Sequence, residues 1–313
     1  MSIFKRFKQG DKGSADELGF GNKYSTDSYR MINKDGSFNV YREGGFRHLY
    51  YELIEMSWIR FIMLVFLFYF VLNTVFAVGY LFIGVEQIAE AETHTPMHQF
   101  FSAFFLSAQT LTTVGFGYFR PTGIAANLFA SFEAFFGLMS FALATGLLYG
   151  RFSKPEAGLM FTPFCIIAPY KDGIHSLQFR LANKYDSNLI ELEARLVFSL
   201  IENKGGALKR SFYPLELEMS EIYYLSLNWT IVHPITESSP LFGKTKEELD
   251  EGKAEIMVMI KAFNETFSQV VHERTSFKSD EIHWNKKFLL PYTVKKGGAT
   301  IFNLDELAKT EDI

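Results

Sequence analysis

Cysteine is almost absent from this chain, whose only one is Cys165. A lone thiol excludes an internal disulfide and a cysteine-built zinc site, and it suits a reducing compartment. The expectation for Cys165 is a buried, inert thiol. A basic excess is missing too: 31 Lys and Arg stand against 35 Asp and Glu, a formal charge of −4. No segment gathers the basic face of a nucleic-acid binder. The opening MSIFKRFKQGDKGS has no apolar core followed by a small-residue cleavage site, so it does not read as a secretory leader. Signatures of catalysis are lacking as well. His272-Glu273 has no second histidine four residues on, no glycine-rich phosphate loop opens a helix, and no nucleophile motif stands out. The chain is therefore expected not to be an enzyme and to need no cofactor.

Apolar residues, by contrast, are bunched. Mean hydropathy is near zero, yet the average hides a membrane part and a soluble part, and 313 residues allow about two domains. Residues 1–45 are polar and without period, and read as a mobile cytoplasmic arm, with a strand added to the soluble domain as the alternative for part of it. In 46–56, Phe46, Leu49, Tyr50 and Leu53 recur at helical spacing, the mark of an amphipathic helix. It lies in the headgroup plane or packs on the soluble domain. Residues 57–155 hold two spans. Trp58 to about Ile83 is long enough to cross a core of ~30 Å, with Trp58 as an interfacial anchor and Arg60 able to snorkel. Gly123 to Tyr149 is the second, with Glu133 its only acid. An ionisable group in a span is a functional candidate; the alternative for Glu133 is a hydrogen bond bracing the back of the glycine-spaced loop Thr113–Gly117. Between the spans, Met97 to Leu111 is apolar but too short to cross, which implies a re-entrant helix. No ladder of arginines is present, which excludes a voltage-sensing helix.

At the end of that short segment stands Thr110–Gly117, TLTTVGFG. Its core, Thr113-Val114-Gly115-Phe116-Gly117, has the form of a potassium selectivity filter, in which backbone carbonyls and a threonine hydroxyl replace the water around an ion. Glycines at alternate positions allow the backbone conformations that aim successive carbonyls at one axis. Potassium would be the permeant ligand at Thr113, Val114, Gly115 and Phe116, and one such strand is a quarter of a ring, so a homotetramer is expected.

Residues 156–313 read as an all-β sandwich, with strands expected over Ile174–Leu181, Leu189–Ile201, Ile222–Val232, Ile256–Phe263 and Phe267–Val271. Glu86, Glu90 and Glu92 after the first span, against the many basic residues before it, put both termini in the cytoplasm and the chain in the plasma (inner) membrane.

With these residues placed, the chain resembles an inward-rectifier potassium channel of the bacterial branch, from about Asp35 to Leu290. The filter, GLLYGRFSKP (Gly146–Pro155), HPITESSPLFG (His233–Gly243) and ERTSFKSDEIHW (Glu273–Trp284) carry the resemblance. It implies two spans with a re-entrant pore helix and an immunoglobulin-like cytoplasmic sandwich, gated by ligand or lipid. It also implies a gating side chain at Tyr149, whose alternative is an interfacial anchor. Glu191 matches a cation-concentrating glutamate of the family's cytoplasmic pore, with a solvated strand residue as alternative. Arg151 and Lys154, with Arg47 and Arg60, are candidates for an anionic-lipid site or are ordinary positive-inside residues. Where strong rectifiers carry an inner-helix acid this chain has Phe141, so only weak block by magnesium or polyamine is expected. Three departures stand out: Phe116 for the usual filter tyrosine, Gln109 for a glutamate behind it, and Tyr118 for an aspartate after it. A poorly selective cation channel and a membrane-anchored ligand-binding protein are the alternative functions.

Overall fold

The computed structural model describes residues 30–41, 43–44, 49–155, 157–185, 187–204, 206–295 and 297–313. It divides into two compact units: Gly44–Lys154, and the residues up to Glu43 together with Pro155–Ile313.

The first unit is helical. A short helix α1 (Leu49–Glu55) precedes α2 (Trp58–Ile83), α3 (Pro96–Leu111) and α4 (Ile124–Phe152). Phe46, Arg47 and His48, expected at the start of α1, lie outside the described residues. At about 1.5 Å per residue, the 26 and 29 residues of α2 and α4 exceed a ~30 Å hydrocarbon core. Their outward faces carry exposed Phe66, Leu67 and Leu128, side chains that suit lipid and not water. The second span runs one turn past its expected end, to Phe152, before Ser153 caps it and Pro155 follows. α3 starts where the sequence dictates: Thr95 accepts a bond from the His98 backbone N–H, and Pro96 occupies the first turn, where no donor is lost. A two-residue pair, β1 (Ile88–Ala89) with β2 (Arg120–Pro121), closes the segments flanking α3. Ala77, Tyr80, Ile88, Ala103 and Leu106 form the core of this unit.

The second unit is a sandwich of two five-stranded sheets. One carries β11 (Gln269–Lys278), β10 (Glu255–Asn264), β6 (Leu189–Lys204) and β7 (Ala207–Leu215) in that order, with β8 (Glu221–Tyr224) also on β6. The other carries β12 (Ile282–Trp284), β4 (Cys165–Pro169), β5 (His175–Asn183) and β3 (Leu159–Phe161), with β9 (Asn228–Ile235) also on β5. Period-two alternation builds the core between them: Trp229, Ile231 and Ile235 of β9 and Ile256, Val258, Ile260 and Ala262 of β10 all turn inward. A helix α5 (Lys246–Glu251), with a capping box at Thr245, and the short strands β13 (Lys286–Phe288), β14 (Tyr292–Val294), β15 (Thr300–Phe302) and β16 (Thr310–Asp312) complete it.

Three expectations change. The single strand expected over Ile222–Val232 is two, β8 and β9, which belong to different sheets because β8 pairs with β6 and β9 with β5. Phe267 lies in a turn, since Asn264 Oδ1 accepts from the backbone N–H groups of Thr266 (3.0 Å) and Phe267 (3.3 Å), and β11 begins at Gln269. Residues 30–41 are docked instead of forming part of a free arm; residues 1–29 lie outside the described residues. The buried Glu255 carboxylate accepts from the Met31 and Ile32 N–H groups, Ser276 donates to Ile32 O (2.6 Å), and Glu281 pairs with Arg30 and Lys34. Cys165 is buried, and burial pushes its thiol far up, so it is inert as expected.

Candidate functional site

The site begins where α3 ends. Thr112 caps the helix, its N–H reaching Ala108 O (3.2 Å), and the chain leaves helical geometry there. Thr113, Gly115 and Gly117 have φ of 60°, 56° and 81°, whereas Val114 and Phe116 keep negative φ. Alternation of positive and negative φ is the backbone pattern that lets successive carbonyls face one side, which a uniformly extended strand cannot do. Added Cβ atoms at Gly115 and Gly117 would meet nothing within 4 Å, so the demand for glycine there is conformational and not steric. The Gly115 N–H donates to Gln109 O (3.2 Å), which hangs the strand from the last turn of α3. Gln109 also donates through Nε2 to Phe119 O, so it bridges both ends of the loop without a charge. Phe116 is 85% exposed and its ring carries no hydroxyl to anchor it.

Glu133 does not face an open path. It is fully buried, accepts from the Tyr80 hydroxyl (2.7 Å) and meets Ser107 Oγ, which favours the bracing role over a place in the ion path. On the same helix Phe141 and Tyr149 are 75% and 74% exposed.

Of the basic residues, Arg47 lies outside the described residues and Arg60 stands exposed on α2. Arg151 has a different engagement from the one expected. Its guanidinium donates to Leu53 O, Ile54 O (2.9 Å) and Met56 O (2.6 Å), the orphan carbonyls at the end of α1, and lies over the rings of Trp58 and Phe61. Lys154 pairs with Glu55 (3.3 Å) at the surface. The sequence showed two basic residues at a membrane edge; it could not show that one of them closes a helix.

In the β-unit Glu191 is exposed, with φ of 51°. It sits on a bulge: pairing passes from Lys261 opposite Glu193 to Phe263 opposite Ile190, so Glu191 and Leu192 share one partner position. The bulge throws Glu191 out of the ladder into a hollow that Glu193, Glu221, Tyr223 and Lys261 also line. Glu193 there is held by Arg195 and Lys261.

Comparison with known proteins agrees with this arrangement. The family model described as inward rectifier potassium channel C-terminal domain matches residues 159–313, and the one described as ion channel matches 81–154. The inward rectifier potassium channel Kirbac3.1 of Paramagnetospirillum magnetotacticum is 35% identical over 281 residues, covering 88% of this chain and 93% of that protein. Among solved structures, the Bacillus subtilis sporulation control protein Spo0M overlaps at 7% identity and a TM-score of 0.22, covering 40% of this chain and 47% of its own. The Pseudomonas fluorescens alkylpurine DNA glycosylase AlkC overlaps at 8% identity and a TM-score of 0.19, covering 62% and 49%. Likenesses at that level carry no argument about fold.

Proposed function

This chain belongs to the inward-rectifier potassium channel family, in its bacterial branch, and we propose that four copies surround one ion path, each giving Thr113–Gly117 to a shared filter. Potassium is the permeating ion, held in turn by the carbonyls of Thr113 to Phe116, with the Thr113 hydroxyl at the cytoplasmic end. The observation that carries this reading is the alternating φ of Thr113, Gly115 and Gly117, on a strand hung from a short helix between two spans. A single strand offers an ion one side of a cage; symmetry supplies the others.

In this reading both termini and the β-unit lie in the cytoplasm and the chain sits in the plasma (inner) membrane. Four copies of Tyr149 narrow the path near the cytoplasmic end of α4, closing it by dewetting. Glu191 lines the cytoplasmic vestibule, where its fourfold repeat draws cations inward. Phe141 offers no charge farther in, so magnesium and polyamines block weakly. Ligands or anionic lipids, acting through the β-unit and the basic edge at Arg47, Arg60 and Lys154, set the gate, with Arg151 closing α1 at that edge.

Potassium flux into liposomes reconstituted with the purified protein tests the core of this, with a bi-ionic reversal potential separating a selective from a poorly selective pore. Gly115→Ala puts a Cβ on a residue at φ of 56°. It is expected to abolish or degrade selective flux while the tetramer still assembles; unchanged selectivity would remove Thr113–Gly117 from the filter.

A further inference from the structure

We propose that Glu133 is a positioning residue for the filter: through a buried network it ties three helices together and sets where α3 ends, and with it the width of the ion cage. The inference rests on the filter assignment above and deepens it.

Four polar side chains, Asn73 and Tyr80 of α2, Ser107 of α3 and Glu133 of α4, are all fully buried. Tyr80 donates its hydroxyl proton to Glu133 Oε2 (2.7 Å). Ser107 Oγ lies between Glu133 Oε1 and Asn73 Oδ1, the latter at 3.1 Å, and the Asn73 amide nitrogen donates to Tyr69 O (2.8 Å). Each atom of the carboxyl thus holds a different helix. A polar cluster of this size inside an apolar bundle is costly unless every member is bonded, so it persists only as a complete set.

Its position gives it leverage. Glu133 and Gly137 are one turn apart on α4, and they meet Ser107 and Leu111, one turn apart on α3. At the second contact a Cβ on Gly137 would lie 2.3 Å from Leu111 O, so the two backbones touch there. Between the two contacts lies Gln109, whose carbonyl holds the Gly115 N–H. A shift of α3 at Ser107 therefore moves the filter strand itself. Phe116 has no hydroxyl to steady the strand from outside and Gln109 has no charge, which leaves more of the support to this network.

The test uses the full tetramer in liposomes and reads the potassium-to-sodium permeability ratio from the reversal potential, alongside assembly by gel filtration. Glu133→Leu removes both bonds at similar volume; the ratio is expected to fall on the order of tenfold, equivalent to about 1.4 kcal/mol of discrimination. Glu133→Gln can accept from Tyr80 with its oxygen and donate to Ser107 with its nitrogen, leaving the Ser107 proton for Asn73, so it is expected to restore the ratio. A merely stabilising residue would lower assembly without touching the ratio. Unaltered selectivity in assembled Glu133→Leu overturns the proposal, as does an equal loss in Glu133→Gln. Should Glu133→Leu not assemble, Tyr80→Phe and Ser107→Ala, which each delete one bond, decide it: a lowered ratio supports the network and an unaltered one in both refutes it. Gly115→Ala in parallel separates the two levels, because a selective Gly115→Ala channel would sink the filter assignment first.

Discussion

Replacing Arg151 by glutamine should undock α1. The helix has seven residues, too few to persist alone in water, and none of them is buried. What closes its C-terminal end is the Arg151 guanidinium, bonded to the carbonyls of Leu53, Ile54 and Met56 and stacked over Trp58 and Phe61. Hydrogen bonds from a charged donor contribute about 1.5–3 kcal/mol each, and a cation at a helix C-terminus adds about 0.3–1 kcal/mol. The terms overlap and are not additive, and glutamine can keep one of the three bonds. A net loss of roughly 3 kcal/mol remains, on the order of a hundredfold in the docked-to-undocked ratio. Amide hydrogen exchange over Leu49–Glu55 in the reconstituted tetramer measures it. Arg151→Gln should lower protection on that scale, and Arg151→Lys should fall between, since one ammonium cannot span three carbonyls. Lys154→Gln breaks only an exposed pair with Glu55, at most about 1 kcal/mol, and should change protection little. Equal small effects of all three, or protection that follows anionic lipid content with Arg151→Lys as good as the native residue, would refute the capping argument and return Arg151 to the lipid site.

His233 gives the β-unit a pH dependence. Its Nδ1 donates to Glu216 O (2.5 Å), so Nε2 accepts from the Ser239 hydroxyl (2.8 Å), and burial holds its pKa below the ordinary value. The unfolded ring takes up a proton near pH ~6.5 and the folded one lower, so this contribution is complete above ~6.5 and is lost as pH falls through the folded value. Thermal unfolding of the full chain should show a midpoint that drops on acidification below ~6.5, and a shallower drop in His233→Asn; identical slopes would exclude His233 as the source. Tyr149→Ala should raise basal potassium flux, whereas no change would make the ring an interfacial anchor. Phe141→Asp should strengthen block by cytoplasmic magnesium or spermine and Glu191→Gln should weaken what remains, read as current against voltage; steep block in the native channel would contradict the absence of an inner-helix acid.

Much of the fold was legible because each membrane element is declared by one physical quantity. Trp58–Ile83 is apolar over more than the bilayer's depth, and the segment before the filter is apolar over less, so their lengths alone separate a span from a re-entrant helix. The long strands β5, β6 and β10 were legible through their alternation. β13 to β16, three residues each, are too short to display a period, and the junction of β8 and β9 misled because both halves are β-rich while the change of sheet leaves no mark in composition. The docking of residues 30–41 was equally hidden, for it depends on Glu255 and Glu281, more than two hundred residues away.

At the candidate site, the unusual backbone of Thr113–Gly117 was legible because its glycines alternate in one consecutive stretch of sequence, whereas the buried bonds nearby are distributed over three segments. Asn73 was the available signal: an amide in an otherwise apolar span, seven residues from Tyr80 and so on the same face of α2. Read singly, Asn73, Tyr80, Ser107 and Glu133 each have an ordinary explanation, and Gly137 reads as a hinge as readily as a contact. Only their common burial and mutual bonds turn them into one structure. The same limit governed Arg151. A basic residue at the end of a span satisfies the positive-inside rule, a lipid headgroup or a row of carbonyls equally well, and sequence position cannot choose among them. The choice is made by distance: at 2.9 Å from Ile54 O and 2.6 Å from Met56 O, and bonded to Leu53 O as well, the guanidinium gives three of its N–H groups to the end of α1.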